Sequence, residues 1–369
     1  MQKYHWLAIA SLAVAVGIFL ALPTSIDPVA FSLTDEGPPK FTGPLAVNDH
    51  LSKSRKLFKD EIQGPEAFAT ADGYVYTGLL DGRVIRFDKS DLTTLETMMA
   101  CSQGDCGRPL GLYFHPQDKS KLYVADAKKG ILSIDLDTRR VQILVNAHQP
   151  GNGIAPLVFV NDLLVLSNGS IFFTDTSKKF GVEDVDADVA EARPNGRLFH
   201  FSPSDGSLHT ALEGLHGANG VCVGPNEEFL LVAELTRARV TRYYLKGPKA
   251  GTVDTFAQNL PGLPDNITPS SRGGYWVGFG ALRDNGVLDM MAGLPWLRAL
   301  VYKSKLMASI KALVQKHGMI VELDASGQIV RSLHDPNGVV VTSTSSVLDL
   351  GDTLFIGSYS APYIALCPV

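Results

Sequence analysis

From about residue 56 onward the chain returns six times to one theme. A loop with Gly or Pro leads into a short apolar strand, then a turn, an aromatic-rich strand, a second turn and a strand of alternating apolar residues. The copies start at Gly64 (GPEAFATADGYVYTGLLDGRVIRFD), Arg108 (RPLGLYFHPQDKSKLYVADAKKGILSIDL), Phe159 (FVNDLLVLSNGSIFFTDTSKKF), His216 (HGANGVCVGPNEEFLLVAELTRARVTRYYL), Leu263 (LPDNITPSSRGGYWVGFGALR) and Ser345 (SSVLDLGDTLFIGSYSAPYIALCP). A recurrence of roughly 40 to 60 residues, each copy a small antiparallel sheet, is the mark of a β-propeller. The expected fold is therefore all-β, a six-bladed β-propeller over residues 56–369.

The fifth copy is interrupted. Between Asp289 and Glu322 there is no acidic residue, while Arg298, Lys303, Lys305, Lys311 and Lys316 alternate with Leu300, Val301, Leu306, Ile310, Leu313 and Val314 at helical spacing. This predicts a basic amphipathic helical insertion at about 285–317, packed on one mouth of the propeller as a lid or lying against a membrane surface as well.

Ahead of the repeats, residues 6–22 (WLAIASLAVAVGIFLAL) form one uncharged run that Pro23 and Asp27 end. As a helix it reaches about 25 Å, enough for a slightly short span. Two readings fit, an uncleaved anchor and a cleaved signal peptide; the long apolar core and the absence of a small-x-small exit favour the anchor. Lys3 precedes the run and Asp27, Asp35 and Glu36 follow it. That asymmetry leaves residues 1–5 in the cytoplasm and the body, with a linker at 23–55, on the far side of the membrane. The formal net charge of −5 supplies no basic field for nucleic acid, which is set aside as a partner.

An extracytoplasmic body permits disulfides. Cys101 and Cys106 bracket the turn-rich tetrapeptide SQGD, and a bridge between them is expected; Cys222 reads as a buried thiol and Cys367 is left open. Two sequons follow from the same topology. Asn168 in NGS lies in a hairpin-like turn and is the expected glycan site, whereas Asn266 in NIT belongs to a segment read as interior.

In a propeller the first strand of each blade lines the central channel, so equivalent positions converge although far apart in sequence. Four blade starts carry oxygen donors: Glu66 in GPEAFA, Asn161 in FVNDLLV, Asn219 in HGANGVCV, and Asp265 with Asn266 in LPDNITP. Taken singly, each reads as a turn residue or an ion-pair partner. Their recurrence at one phase of four repeats points to a shared hard cation, Ca2+, which accepts six to eight oxygens in loose geometry. Zn2+ would call for His or Cys, and none occupies these places.

The stretches CGRPLGL (106–112), FVNDL (159–163), PNEEFLLVAELTRARVTRYYL (225–245), LPDNITPSSRGGYWVGFGALR (263–283), PWLRALVYK (295–303) and RSLHDPNG (331–338) resemble the strictosidine synthase-like family. The resemblance covers nearly all of residues 60–366. It implies a six-bladed propeller behind a short type II signal anchor, in the endoplasmic reticulum or at the plasma membrane, with the propeller on the lumenal or extracellular side. Paraoxonases are similar at a greater distance, and their catalytic calcium site resembles Glu66, Asn161, Asn219, Asp265 and Asn266. That resemblance implies a calcium-dependent hydrolase acting on a small-molecule ester or lactone.

Two departures matter. Leu110 and Ala127 stand where the paraoxonase-like pattern has a histidine pair, and nearby His115 reads as a turn residue, so Glu66 and Asp265 are the remaining candidates for a catalytic base. The late glutamate of strictosidine synthase is also missing: the matching stretch holds Ser345, Ser346 and Asp349, and alkaloid condensation is not expected. The alternative is a non-catalytic ectodomain that binds a protein partner, with the ion purely structural.

Overall fold

Hydrogen bonding divides the strands of the chain into six antiparallel sheets of four. The computed structural model describes residues 23–34, 36–100, 106–151, 153–314 and 317–369, together with Ser11, Val14, Gly17 and Phe19. Most of the expected anchor, residues 6–22, lies outside the described residues; among those described, no helix is long and apolar enough to cross a membrane.

The innermost strands of blades 1 to 6 are Phe68–Ala71, Pro109–His115, Val160–Val165, Ala218–Val223, Gly262–Pro269 and Val347–Asp349. Each contacts the next, and the sixth contacts the first, so the sheets form a closed ring. Blade 6 is completed from the other end of the body. Arg55–Leu57 is its outer strand, paired with Ile364–Pro368 in the register Arg55 to Leu366 and Leu57 to Ile364. Six blades and their closure follow the period in the sequence.

Why the ring holds is visible in where the apolar side chains go. Each blade presents two faces, and a separate apolar cluster fills each of the six interfaces. Blades 2 and 3 meet through Ile131, Val145, Leu163, Phe173 and Phe199. Blades 6 and 1 meet through Leu57, Val75, Ile85, Phe355 and Ile364. Second strands such as Ile171–Asp175 (IFFTD) are buried along their whole length because a neighbouring blade covers either face.

Near the axis, the blades approach too closely for side chains. A Cβ on Gly220 of blade 4 would stand 2.5 Å from the Asn266 Cα of blade 5, and one on Gly357 of blade 6 would stand 2.2 Å from the Glu66 carbonyl oxygen. Hydroxyls fasten the same seams: Thr174 and Thr176 donate to the carbonyls of Asn219 and Ala218 at 2.6 and 2.7 Å, and Ser345 donates to that of Glu66 at 2.7 Å.

Three short helices, Val287–Ala292, Pro295–Lys303 and Met307–Val314, lie between the second and third strands of blade 5, and helix Val185–Glu191 occupies the same place in blade 3. The stretch read as a linker is docked. The Val29 N–H donates to the Glu191 carbonyl at 3.3 Å and that of Phe31 to the Ala292 carbonyl at 3.1 Å. Further on, Asn48 donates to the Ser332 carbonyl at 3.0 Å, and Phe41 stands edge-on to His317 and His334, themselves joined at 2.8 Å.

Arg298 clamps strap and helices together. Almost fully buried, it meets no carboxylate among the described residues and donates to the carbonyls of Met291 (3.0 Å), Ala190 (2.7 Å) and Val29. The first two belong to final helical turns, whose carbonyls lack intrahelical partners and carry partial negative charge.

Cys106 is disulfide-bonded, and its expected partner Cys101 lies outside the described residues. Cys222 and Cys367 are free and buried. Gly220→Ala is expected to lower stability by about 1–3 kcal/mol through overpacking of the inner ring. Gly293→Ala, where a Cβ meets nothing within 4 Å, should be close to neutral; urea unfolding of the two variants measures the difference.

Candidate metal centre

The candidate ligands sit where the inner strands break register. In blade 3, Val160 pairs with Asp175 and Leu163 with Phe173, so Asn161 and Asp162 together oppose Thr174. In blade 4, Asn219 and Gly220 oppose Ala233; in blade 5, Asp265 and Asn266 oppose Gly278. Blade 2 is also irregular at Leu110. These are β-bulges, which turn a side chain out of the alternation of its strand. Glu66 reaches the same level from the loop two residues before its strand.

In the blade 3 bulge Asp162 ties adjacent blades while Asn161 keeps a free carbonyl oxygen. Asp162 accepts the N–H of Leu163 and, across the seam, that of Val221, each at 2.8 Å. Asn161 donates its amide to Thr176 Oγ1 at 3.0 Å, which leaves its carbonyl oxygen uncommitted. The Asn219 amide lies close enough to the Asp265 carboxylate to favour its charged form. The Asn266 N–H donates to the Ser345 carbonyl at 3.1 Å, which fixes the backbone but not the side chain.

Five buried oxygens result, Glu66 Oε2, Asn161 Oδ1, Asn219 Oδ1, Asp265 Oδ1 and Asn266 Oδ1, none of which takes a hydrogen bond from the protein. The five residues are between 2% and 7% exposed. An unsatisfied buried polar group costs about 1–3 kcal/mol, so these oxygens call for partners from outside the chain, an ion or ordered water. Their chemistry fits a hard cation, being oxygen throughout, with two carboxylates and three amides. Among the described residues, no three His, Cys, Asp or Glu side chains form a metal-binding group.

Electrostatics point the same way. Burial pushes the Glu66 carboxyl up to about 8, with the Asp265 charge adding to the shift, Arg108 opposing it and Asp162 adding a smaller part. Burial pushes Asp265 up to about 7, opposed by the Asn219 amide and by Arg108. Arg108 is the cation in reach, 3.8 Å from Glu66 Oε2, and it is held in place by the carbonyls of Gly64 (2.9 Å) and Tyr359 (3.2 Å). One guanidinium does not balance three carboxylates, and a divalent ion would favour their charged forms.

Other sequence-predicted positions fall as follows. Leu110, Ala127 and Phe159 form an apolar cluster capped by Val182 and Val185, so the place of the absent histidine pair is a hydrophobic wall. His115 accepts the Gln117 N–H at 3.1 Å in a turn away from the channel. Asp349 is occupied by Trp276 and Ser271. Asn168 is exposed at the hairpin tip and Asn266 is buried.

Sequence reasoning missed Arg108 and Asp162, whose signals were the residue before PLG and the second half of the ND pair. It also missed Asp188 in the blade 3 helix. Asp188 bonds Asn195 through one oxygen at 3.2 Å and keeps the other without a partner, and burial pushes its carboxyl up to about 6.

The closed six-bladed ring is a fold that known proteins share. The strictosidine synthase family profile matches residues 161–248, and the strictosidine synthase-like N-terminal profile matches residues 43–87. The chain belongs to the strictosidine synthase-like family. Within it, the adipocyte plasma membrane-associated protein of Homo sapiens is 36% identical, over 97% of this chain and 87% of its own length.

Among solved structures, a gluconolactonase from Xanthomonas campestris superposes with a TM-score of 0.59 at 20% identity, covering 94% of this chain and 99% of its own. Regucalcin from Agrobacterium tumefaciens, described as a calcium-binding protein, superposes at 0.55 with 11% identity, covering 85% of this chain and 92% of its own. At these identities the shared property is the fold.

Because Glu66 and Asp265 hold their protons more firmly folded than unfolded, their contribution to stability is present at low pH and lost as pH rises through about 7 to 8. For the chain kept in chelator, stability is expected to decline as pH rises from about 4 toward about 8, by at most about 1.4 kcal/mol per pH unit for each group, with the thermal midpoint falling accordingly. Asp265→Asn should flatten the decline, and scanning calorimetry at several pH values reads it.

Proposed function

We propose that this protein is a membrane-anchored, calcium-dependent hydrolase of small aryl esters or lactones. In this reading Ca2+ is held by Glu66, Asn161, Asn219, Asp265 and Asn266. The observation that carries it is the set of five partnerless buried oxygens, four at inner-strand bulges and Glu66 on the loop before its strand. When bound, such an ion supplies Lewis-acid stabilisation of the negative charge that develops on an ester or lactone carbonyl oxygen.

The remaining work falls to the chain's own residues. Asp162 and Ser345 hold the inner strands that carry the ligands. Arg108 keeps the Glu66 loop in place. Glu66 and Asp265 are the candidate proton acceptors for the attacking water, a role open to whichever carboxylate is not fully committed to the ion. The apolar wall at Leu110, Ala127 and Phe159 suits an acyl or aryl group. The gluconolactonase and calcium-binding regucalcin descriptions of the structural neighbours support the reaction class and the ion.

In the same proposal residues 6–22 are a type II anchor in the endoplasmic reticulum or plasma membrane, with the propeller lumenal or extracellular and Asn168 glycosylated. The plasma membrane-associated relatives support that placement.

A second reading is favoured by one observation. The wall at Leu110 and Ala127 offers no imidazole where the paraoxonase-like pattern has a pair, which suits a structural ion in a propeller whose rim binds a protein. One experiment separates the two. Calcium should raise the thermal midpoint of the full chain, and Asp265→Ala should abolish that rise. With phenyl acetate and a lactone panel, turnover lost to EGTA and to Asp265→Ala supports the hydrolase. A calcium-dependent midpoint without turnover on any ester supports the structural ion and sinks the enzyme.

A further inference from the structure

The lid face of blade 5 differs from the rest of the surface. Among the described residues, the exposed large apolar side chains elsewhere on the propeller are aliphatic, such as Leu80, Val141, Ile143 and Val253. The insertion instead exposes Met290 (53%), Trp296 (53%) and Leu306 (49%) within one helical layer, while Trp276 is fully buried. Lysines accompany them. Lys303 is half-buried and Lys305 exposed, while Asp289 is engaged by Arg283 and Asp186 by Lys311. An exposed indole and aliphatic side chains beside lysines match the composition that seats a helix in a lipid headgroup layer.

The second observation is the docking of the tether. The Lys303 ammonium donates to the Phe19 carbonyl at 3.2 Å and lies 5.9 Å from its ring centre. Ser25 Oγ is 3.3 Å from the Tyr302 hydroxyl, Asp27 is ion-paired with Arg193, and Val29 is clamped by Arg298. Phe19, Ser25, Asp27 and Val29 are thus all held at this face, so the segment that follows the apolar run of residues 6–22 is bonded to the propeller from Ser25 onward.

We propose that the Met290–Trp296–Leu306 face of the lid is seated in the headgroup layer of the bilayer that holds residues 6–22. It follows that the mouth of the propeller nearest Asp265 faces lipid. The helix Met307–Val314 contacts the second strand of blade 5, and an apolar cavity of about 60 Å³ beneath the lid is bounded by Leu263, Met291 and Ile310. The substrates admitted on this geometry are esters or lactones that partition into membrane. The seating rests on the anchor reading and is independent of catalysis.

The chain contains three tryptophans, Trp6, Trp276 and Trp296, and this makes the test direct. The full-length protein is reconstituted in phosphatidylcholine vesicles with and without brominated acyl chains. In Trp6→Phe, bromolipid is expected to quench the Trp296 contribution about twofold, as suits an indole buried ~5–10 Å into the interface. Trp276 supplies an unquenched background. In Trp296→Phe, quenching of Trp6 reports the anchor by itself.

Quenching of Trp6 but not Trp296 overturns the seating and leaves the anchor standing. If that unquenched Trp296 is also shielded from acrylamide, a protein covers the face instead. Quenching of neither overturns both readings. The pair Met290→Glu with Leu306→Glu, in the Trp6→Phe background, should lose most of the Trp296 quenching. Undiminished quenching in that variant overturns the proposal as well.

Discussion

The structure depends on ring closure. Arg55–Leu57, from the start of the body, completes the sheet that the last residues of the chain begin, through the ladder to Ile364–Pro368. A ring of twisted sheets leaves two open faces unless its last blade is joined to its first. With the joint made, every interface between blades becomes an apolar core of the same kind. The six inner strands then share one axis, and that shared axis makes residues distant in sequence into neighbours.

Closure creates a polar problem and the means of solving it. Inner strands crowd so closely that Gly111 and Gly220 have no room for a Cβ against Asp162 and Asn266 of the next blades. Regular pairing would point alternate side chains into the seams. The bulges at Asn161–Asp162, Asn219–Gly220 and Asp265–Asn266 break that alternation, and at the first of them Asp162 binds the next blade while the Asn161 carbonyl oxygen stays uncommitted. Side-chain oxygens aimed at the axis are out of reach of backbone donors, since those donors are consumed by the ladders. Their unsatisfied valence is a consequence of the fold, and the ion proposed for it would be part of the fold's stability as well as its chemistry.

The lid is held by a different interaction. Among the described residues Arg298 has no carboxylate partner; it remains charged, although burial brings it down to about 10, because carbonyls at the ends of two helices and of the strap surround it. Three segments, 29–31, 185–191 and 287–298, are thereby made one body over the propeller mouth. In the sequence Arg298 reads as one cation of a basic amphipathic helix, and so does Lys311, which is in fact paired with Asp186 of another blade.

Much of the architecture was legible because a repeat of strands reports its own phase. The theme returning six times gave the blade count, and Glu66, Asn161, Asn219, Asp265 and Asn266 stood out as polar residues at one point of an otherwise apolar period. Chain order and alternation determine which face of a strand is buried and which residues share a level. They carry no information about what lies across a seam. The tertiary structure alone decided that Asp162 binds the backbone of blade 4, that Arg108 stands beside Glu66, that residues 24–54 form a strap, and that Arg298 is a buried clamp. Those contacts join segments tens to hundreds of residues apart, and they exist only once a closed ring has brought the segments within hydrogen-bonding distance.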